Sequence, residues 1–335
     1  MRIIRIGLDT AKHVFQVHGV DENEEPVLRR QLRRGQVTSF FATLPATRIG
    51  LEACGAAHHW ARVLHGLGHE VVLLPPQYIK PYVKRGKNDA VDAAAICEAM
   101  SRPGMRFVPP KSAERQAVLM LLKSRDLLVK QRTMLINAIR GHAAEFGVVA
   151  AKGRSRLPEL LAAAAAAALP APALEMLELL AGQVAALENR IAAIEARLIA
   201  WHQNDPLSRC LATQPGIGPI AAISFALKVP DPNGFRSGRH FAAWLGLTPK
   251  QHASGGRARP GRISRQGDES LRRLLVLGAT AVIRVAKPDR ASPWLLGLLA
   301  RRPKKLAAVA LANKMARITW AMMVRGEFYR RPQPV

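Results

Sequence analysis

Four carboxylates stand where metal-dependent phosphodiester chemistry would need them. Asp9 ends an apolar strand in IGLDT, Glu52 directly follows the apolar run RIGL, and Asp89 and Asp92 lie three apart at the start of a helical stretch, KNDAVDAAAIC. The i, i+3 spacing turns both aspartates toward one helix face, and the ends of neighbouring strands can bring Asp9 and Glu52 to the same place. Four acids in one pocket repel one another unless cations neutralise them, and hard divalent ions such as Mg²⁺ take oxygen ligands. Two such ions, about 4 Å apart, activate a nucleophile and stabilise the leaving oxygen of a phosphodiester. Singly, Asp89 and Asp92 also fit as helix caps or dipole partners. Asp9 and Glu52 are harder to dismiss, because a carboxylate closing an apolar strand is costly unless exposed or paired.

A second stretch, TPKQHASGGRARPGRISRQGDESLRRLLVLGA, places Ser254 before Gly255 and Gly256, which permit close backbone approach to a phosphate, with Arg257, Arg259, Arg262 and Arg265 around it. Two roles stay open. A phosphate-binding loop is favoured by spacing alone; a nucleophilic serine needs arginines or metal ions to activate it and stabilise the transition state. His252 is a candidate for proton transfer or phosphate contact, Ser264 for contact with a DNA backbone, and Ser270 reads as structural. QPGIGPIAAIS, with Gly216 and Gly218, has the Gly-apolar-Gly turn of a helix-hairpin-helix element, whose amides bind phosphate without reading sequence. A plain helix corner is the alternative. Arg272 and Arg273 extend the basic stretch, and the last helices add Arg301, Arg302, Lys304, Lys305, Lys314 and Arg317 as a nucleic-acid track. His58 and His59 read as bystanders near Glu52, and Trp60, Trp201, Trp244, Trp294 and Trp320 as core anchors.

These groups need a scaffold. Strands are expected at Ile3 to Leu8, Val14 to Val20 and Val27 to Leu32, then a helical stretch at Val37 to Leu44, a strand at Arg48 to Leu51, a helix at Ala56 to Gly66, a strand at Val71 to Leu74 and a helix at Asn88 to Met100. That order is the order of an α/β RNase H-like domain, over 1–110. A long helix from Ala113 to Phe146 and a heptad-like run from Ala173 to Gln203 form a helical connector over 111–205. This suits an antiparallel hairpin or a coiled-coil dimer. The third part, 206–335, is mostly α-helical, with the GIG turn and a basic Gly-rich loop from Thr248 to Gly267.

The chain of 335 residues is 49% hydrophobic and 22% charged, enough for two or three folded domains. Fifty Lys and Arg against 24 Asp and Glu give a net charge of +26, which calls for a polyanionic partner. From Pro206 onward 23 basic residues face five acidic ones, so this part is expected to carry much of the phosphate contact. Cys54, Cys97 and Cys210 lack CxxC spacing and are expected as free thiols. The opening segment lacks the apolar run of a secretory signal, and the longest bland run stops at Pro170, so a cytoplasmic protein without a membrane span is expected.

With Asp9, Glu52, Asp89, Asp92 and the QHASGGR loop together, the chain resembles a transposase of insertion sequence family one-ten, its loop similar to the eleven-eleven subgroup. The resemblance runs over nearly the whole length. It implies a RuvC-like domain with a DEDD tetrad, a helical connector, and a C-terminal transposase domain with GIG and SGG motifs. It further implies a site-specific recombinase guided by a structured bridge RNA that pairs with donor and target DNA. Mg²⁺ held by Asp9, Glu52, Asp89 and Asp92 would work with Ser254, which forms a covalent phosphoserine link, in a dimer or tetramer whose protomers share the site. The family loop often reads SSGG; Ala253 here leaves Ser254 as the motif's only nucleophile. The rivals are a Piv-like DNA invertase of the same architecture, a RuvC-type metal nuclease without serine catalysis, and a non-catalytic nucleic-acid-binding protein.

Overall fold

The structure is a computed structural model that describes residues 2–83, 89–254, 257–287 and 291–330, with backbone only for 251–254 and 257–260. It divides into two compact units, 1–116 and 117–335.

The first unit is built on a five-stranded sheet. Its strands are β1 (Arg5–Thr10), β2 (Val14–Val20), β3 (Pro26–Arg33), β4 (Arg48–Glu52) and β5 (Glu70–Leu74), in the order β3-β2-β1-β4-β5. The β1/β2 and β2/β3 pairs are antiparallel, while β1/β4 and β4/β5 are parallel. Asp21 sets the β2–β3 turn by accepting hydrogen bonds from the amides of Asn23 (2.9 Å) and Glu25 (3.0 Å). Helices α1 (Val37–Ala42), α2 (Ala57–Gly66), α3 (Pro76–Ile79) and α4 (Asp89–Ala99) complete the expected order, with α3 an additional short turn. This is the mixed α/β sheet of an RNase H-like domain. The first strand starts two residues later than the sequence suggests and runs on through Asp9 to Thr10.

The strand period sorts the side chains. Ile6, Leu8, Ile49 and Leu51 are fully buried with Phe41, Trp60 and Leu64 of α1 and α2. Gly7 and Gly50 point to the other face, where α4 lies, and so do Asp9 and Glu52 two residues on. Gly7 and Gly50 are register partners. A Cβ on Gly7 would stand 2.1 Å from the Ala93 carbonyl oxygen, and one on Gly50 2.9 Å from Met100 Sδ. The paired glycines therefore let α4 seat directly on the two central strands.

The second unit contains most of α5 (Ala113–Glu145), then α6 (Leu157–Ala166), α7 (Ala171–Asn204), α8 (Pro206–Ala212), α9 (Pro219–Lys228) and α10 (Gly238–Trp244). Strands β6 (Pro249–Ser254) and β7 (Arg257–Ile263) follow, and α11 (Glu269–Arg284), α12 (Pro293–Arg301) and α13 (Lys304–Arg325) close the chain. Within the unit α5 and α7 run antiparallel, tied by ion pairs Arg125–Glu195 (2.6 Å) and Arg132–Glu188 (3.8 Å) over a seam containing Ile136, Ile139, Leu177 and Val184. Side chains cap several helices here: Asp205 accepts from the Ser208 amide, Asp268 from Leu271 and Ser292 from Leu295. Phe225, Phe241, Leu271, Leu275, Ala312 and Ala316 form the core of the C-terminal helices.

Two expectations are corrected. The stretch from Thr248 to Gly267 is not a loop throughout: β6 and β7 pair antiparallel, with Ser254 opposite Arg257 and His252 opposite Arg259. Its Gly, Pro and Arg content masks the strand signal, because what stabilises the ladder is backbone pairing from a fixed base. Gly246 (φ +70°) and Gly267 (φ +72°) make that base; a Cβ on Gly267 would lie 1.9 Å from the Trp244 carbonyl oxygen. Trp294 is the second correction: it is 41% exposed, not a core anchor. Among the described residues no helix is long and apolar enough to cross a membrane.

Candidate active site

Asp9, Asp89 and Asp92 converge. One carboxylate oxygen from each lies within 4.8 Å of the other two, with Asp9 and Asp92 half-buried and Asp89 exposed. The cause is local. β1 carries Asp9 out on the α4 face, and α4 begins at Asp89, so its first turn presents Asp89 and Asp92 together. The sheet places Glu52 one step beyond the Leu8–Leu51 register pair, at the end of the neighbouring parallel strand, half-buried and outside the three-aspartate group.

Electrostatics register the crowding. Burial pushes the Asp9 carboxyl up from its ordinary 3.8 to about 6; the charges of Asp92 and Asp89 push the same way, the Thr10 amide hydrogen bond opposes them, and Glu52 adds a smaller upward push. An acid held so high, first by burial and then by its neighbours' charges, is a group waiting for a counter-charge. The all-oxygen donor set, open on the Asp89 side, fits a hard divalent cation. Such a cation would be held by Asp9, Asp89 and Asp92, with Glu52 beside them.

The other predicted residues are spread over the second unit. Gly216 (φ +86°) is packed inward: a Cβ there would stand 2.7 Å from Met315 and 2.9 Å from the Gly278 carbonyl oxygen. Gly218 is exposed at the start of α9 with open space around it. Ser254, Arg257, Arg259 and His252 lie on the paired strands; Gly255 and Gly256 lie outside the described residues. Arg262 and Arg265 are exposed, Arg265 in the left-handed region at φ +58°. Arg272 turns to the hairpin base, its Nη1 donating to the carbonyls of Leu245 (3.0 Å) and Gln266 (2.7 Å), and Arg273 pairs with Asp126 at 3.0 Å. Ser270 has the structural place expected of it, donating to Asp268 at 2.6 Å and accepting from Lys228. Burial pushes the Asp268 carboxyl up, but the Ser270 hydroxyl, the Leu271 amide and Lys228 outweigh it and hold Asp268 below the usual carboxylate range. His58 accepts from the Lys111 amide, a scaffold contact.

Family models match both parts of the chain: one described as Transposase, of the DEDD IS110 type, over residues 6–147, and one described as Transposase IS116/IS110/IS902 family over residues 208–294. The chain belongs to the IS110 family of transposases. A Sinorhizobium fredii relative is 53% identical over 99% of this chain and 87% of its own length. The "Probable family 20 transposase" of Pseudomonas aeruginosa is 52% identical over 98% of this chain and 99% of its own. The transposase for insertion sequence element IS1111A of Coxiella burnetii is 41% identical over 98% and 92%. DNA is thus the substrate, and the transposase cuts and transfers its strands.

Sequence reasoning missed what positions the transposase's acids. Arg5 to Asp9 reads RIGLD and Arg48 to Glu52 reads RIGLE, and the two strands pair residue for residue, Arg5 with Arg48 through Leu8 with Leu51. That repeat was the available signal: it puts a glycine under α4 and an acid on the same face of both central strands. Arg5 fastens the arrangement by donating to the Cys97 carbonyl of α4 at 3.1 Å and pairing with Glu24.

Proposed function

We propose that this transposase is an RNA-guided, site-specific DNA recombinase that cleaves and rejoins strands by Mg²⁺-assisted attack of Ser254. The observation that carries the reading is the convergence of Asp9, Asp89 and Asp92 on the α4 face of the sheet. Mg²⁺ bound there would neutralise the acids and stabilise charge on phosphodiester oxygens. Asp9, Asp89 and Asp92 hold the ion and Glu52 supplements their charge. The Ser254 hydroxyl forms a bond to phosphorus while one P–O bond to the leaving strand breaks and the leaving oxygen takes up a proton. Attack on the phosphoserine by the hydroxyl of a new strand end reverses these steps and restores the serine.

Gly218, His252, Gly255, Gly256, Arg257, Arg259, Arg262, Arg265 and Arg273 contact nucleic acid backbone, Gly216 shapes the turn that presents the start of α9, and Arg272 supports the base of the hairpin that carries Ser254. The cation excess from Pro206 onward supports a second polyanion, a structured bridge RNA, beside donor and target DNA. Exposed Met120, Leu127, Met134, Met176 and Leu179 on the α5–α7 arm support assembly as a dimer or tetramer. The chain acts in the cytoplasm, organised as a catalytic part (1–110), an arm (111–205) and a transposase part (206–335).

The test is a trapped intermediate. With Mg²⁺, guide RNA and labelled element-end DNA, a denaturant-resistant DNA–protein adduct is expected, mapping to Ser254 and absent from Ser254→Ala. Undiminished cleavage by Ser254→Ala would leave a metal nuclease in its place.

A further inference from the structure

The second unit carries an open cavity of about 1050 Å³ between α10, α12, α13 and the segment that follows α13. Its walls are built. A Cβ on Gly238 of α10 would lie 3.1 Å from the Cα of Arg317, so the backbones of α10 and α13 meet directly and fix where Arg317 leaves its helix. The segment after α13 is pinned by Cys210, whose thiol donates to the Glu327 carbonyl at 3.1 Å, and by Thr213, whose hydroxyl accepts from the Tyr329 amide at 3.0 Å.

The lining combines cations and exposed rings. Arg239, Lys314, Arg317, Arg325 and Arg330 face a single acid, Glu327, and among the described residues none of the five forms an ion pair. Trp294 stands in the wall with Lys314 Nζ 4.3 Å from its ring centroid, and Phe328 is 64% exposed. An exposed tryptophan and phenylalanine among cations without carboxylate partners match a ligand with both phosphate and a flat, accessible base. A duplex offers phosphates but keeps its bases stacked inside, out of reach of a ring in a cavity wall. An unpaired strand offers both.

We propose that this cavity binds unpaired nucleotides of a single nucleic-acid strand, a base stacking on Trp294 while Arg239, Arg317 and Arg325 take its phosphates. The proposal rests on nucleic acid being the transposase's partner and is independent of the metal chemistry, so it is tested in EDTA, where strand cleavage does not enter the readout.

The full chain is titrated with labelled single-stranded DNA and RNA hexanucleotides and with a short DNA duplex. Trp294→Ala is expected to weaken single-strand binding by about tenfold and to leave duplex binding unchanged, with Trp294→Phe retaining most of the affinity. Arg317→Glu, an exposed change that keeps the proposal testable if Trp294→Ala fails to fold, is expected to weaken single-strand binding and flatten its salt dependence. An iodouracil-substituted hexanucleotide should photocrosslink to the peptide containing Trp294. A loss confined to the DNA arm identifies a displaced DNA strand as the source and one confined to the RNA arm an unpaired RNA segment; both uphold the site. Unchanged single-strand affinity in both variants, an equal loss for duplex, or crosslinks only elsewhere would overturn it.

Discussion

Asp9→Asn is expected to abolish strand cleavage while making the metal-free protein more stable. The two effects share a cause. Asp9 is partly buried and lies close to the charges of Asp92 and Asp89, so its carboxyl is raised to about 6. Removing a group that merely orients a metal ligand costs 10–100-fold, so loss of a ligand should lower cleavage by more than about a hundredfold. Without the ion, the same charge is a burden. Between 3.8 and about 6 the native state holds the Asp9 proton more tightly than the unfolded chain does, so this residue's contribution to stability falls as pH rises through that window and is fully unfavourable above it. The neutral amide removes the burden, and at neutral pH a rise in melting temperature of about 2–4 °C is expected in EDTA. Apparent metal affinity should run the opposite way, weakening as pH drops below about 6 and protons compete for Asp9. Thermal melts with EDTA at two pH values and a cleavage assay check all three.

Gly7→Ala is expected to be among the most damaging single-methyl changes in the first unit. The added Cβ would stand 2.1 Å from the Ala93 carbonyl oxygen and 2.6 Å from the Cys97 amide nitrogen, both backbone atoms of α4 that no rotamer change can move aside. Relief requires α4 to lift from β1. Overpacking of a tight contact costs about 1–3 kcal/mol, and a backbone clash belongs at the upper end. Because α4 carries Asp89 and Asp92, the lift also parts them from Asp9, so metal affinity should fall together with melting temperature. Gly55→Ala, where a Cβ meets nothing within 4 Å, is the control expected to change neither.

Sequence and structure agree most where periodicity is strong and burial enforces it. The apolar runs of β1, β4 and β5 and the alternation in β2 fix the sheet, because a register slip would turn Ile6, Leu8, Ile49 and Leu51 to the wrong face. Asp9, Asp89 and Asp92 were legible for a related reason: a strand end and an i, i+3 pair have few places to point. Glu52 shows the limit of such reasoning, since a strand-end position gives a face and a level but not a distance. The β6–β7 hairpin was illegible because β6 (PKQHAS) has no apolar alternation and β7 (RARPGRI) is broken by Arg, Pro and Gly, while the close approaches of Gly246 and Gly267 and the Arg272 hydrogen bonds that frame its base are long-range contacts. Trp294 was misread because its type favours burial, whereas its place at the wall of a cationic cavity is set by the packing of α12 and α13.

The most direct measurement is Mn²⁺ binding to the full chain without nucleic acid, followed by electron paramagnetic resonance, with Mg²⁺ as competitor and Asp9→Asn and Asp92→Asn beside the wild type. Saturable binding that Mg²⁺ displaces, and that both substitutions weaken by more than about tenfold, is the predicted result. Wild-type affinity retained in both variants would contradict a metal centre built on Asp9, Asp89 and Asp92.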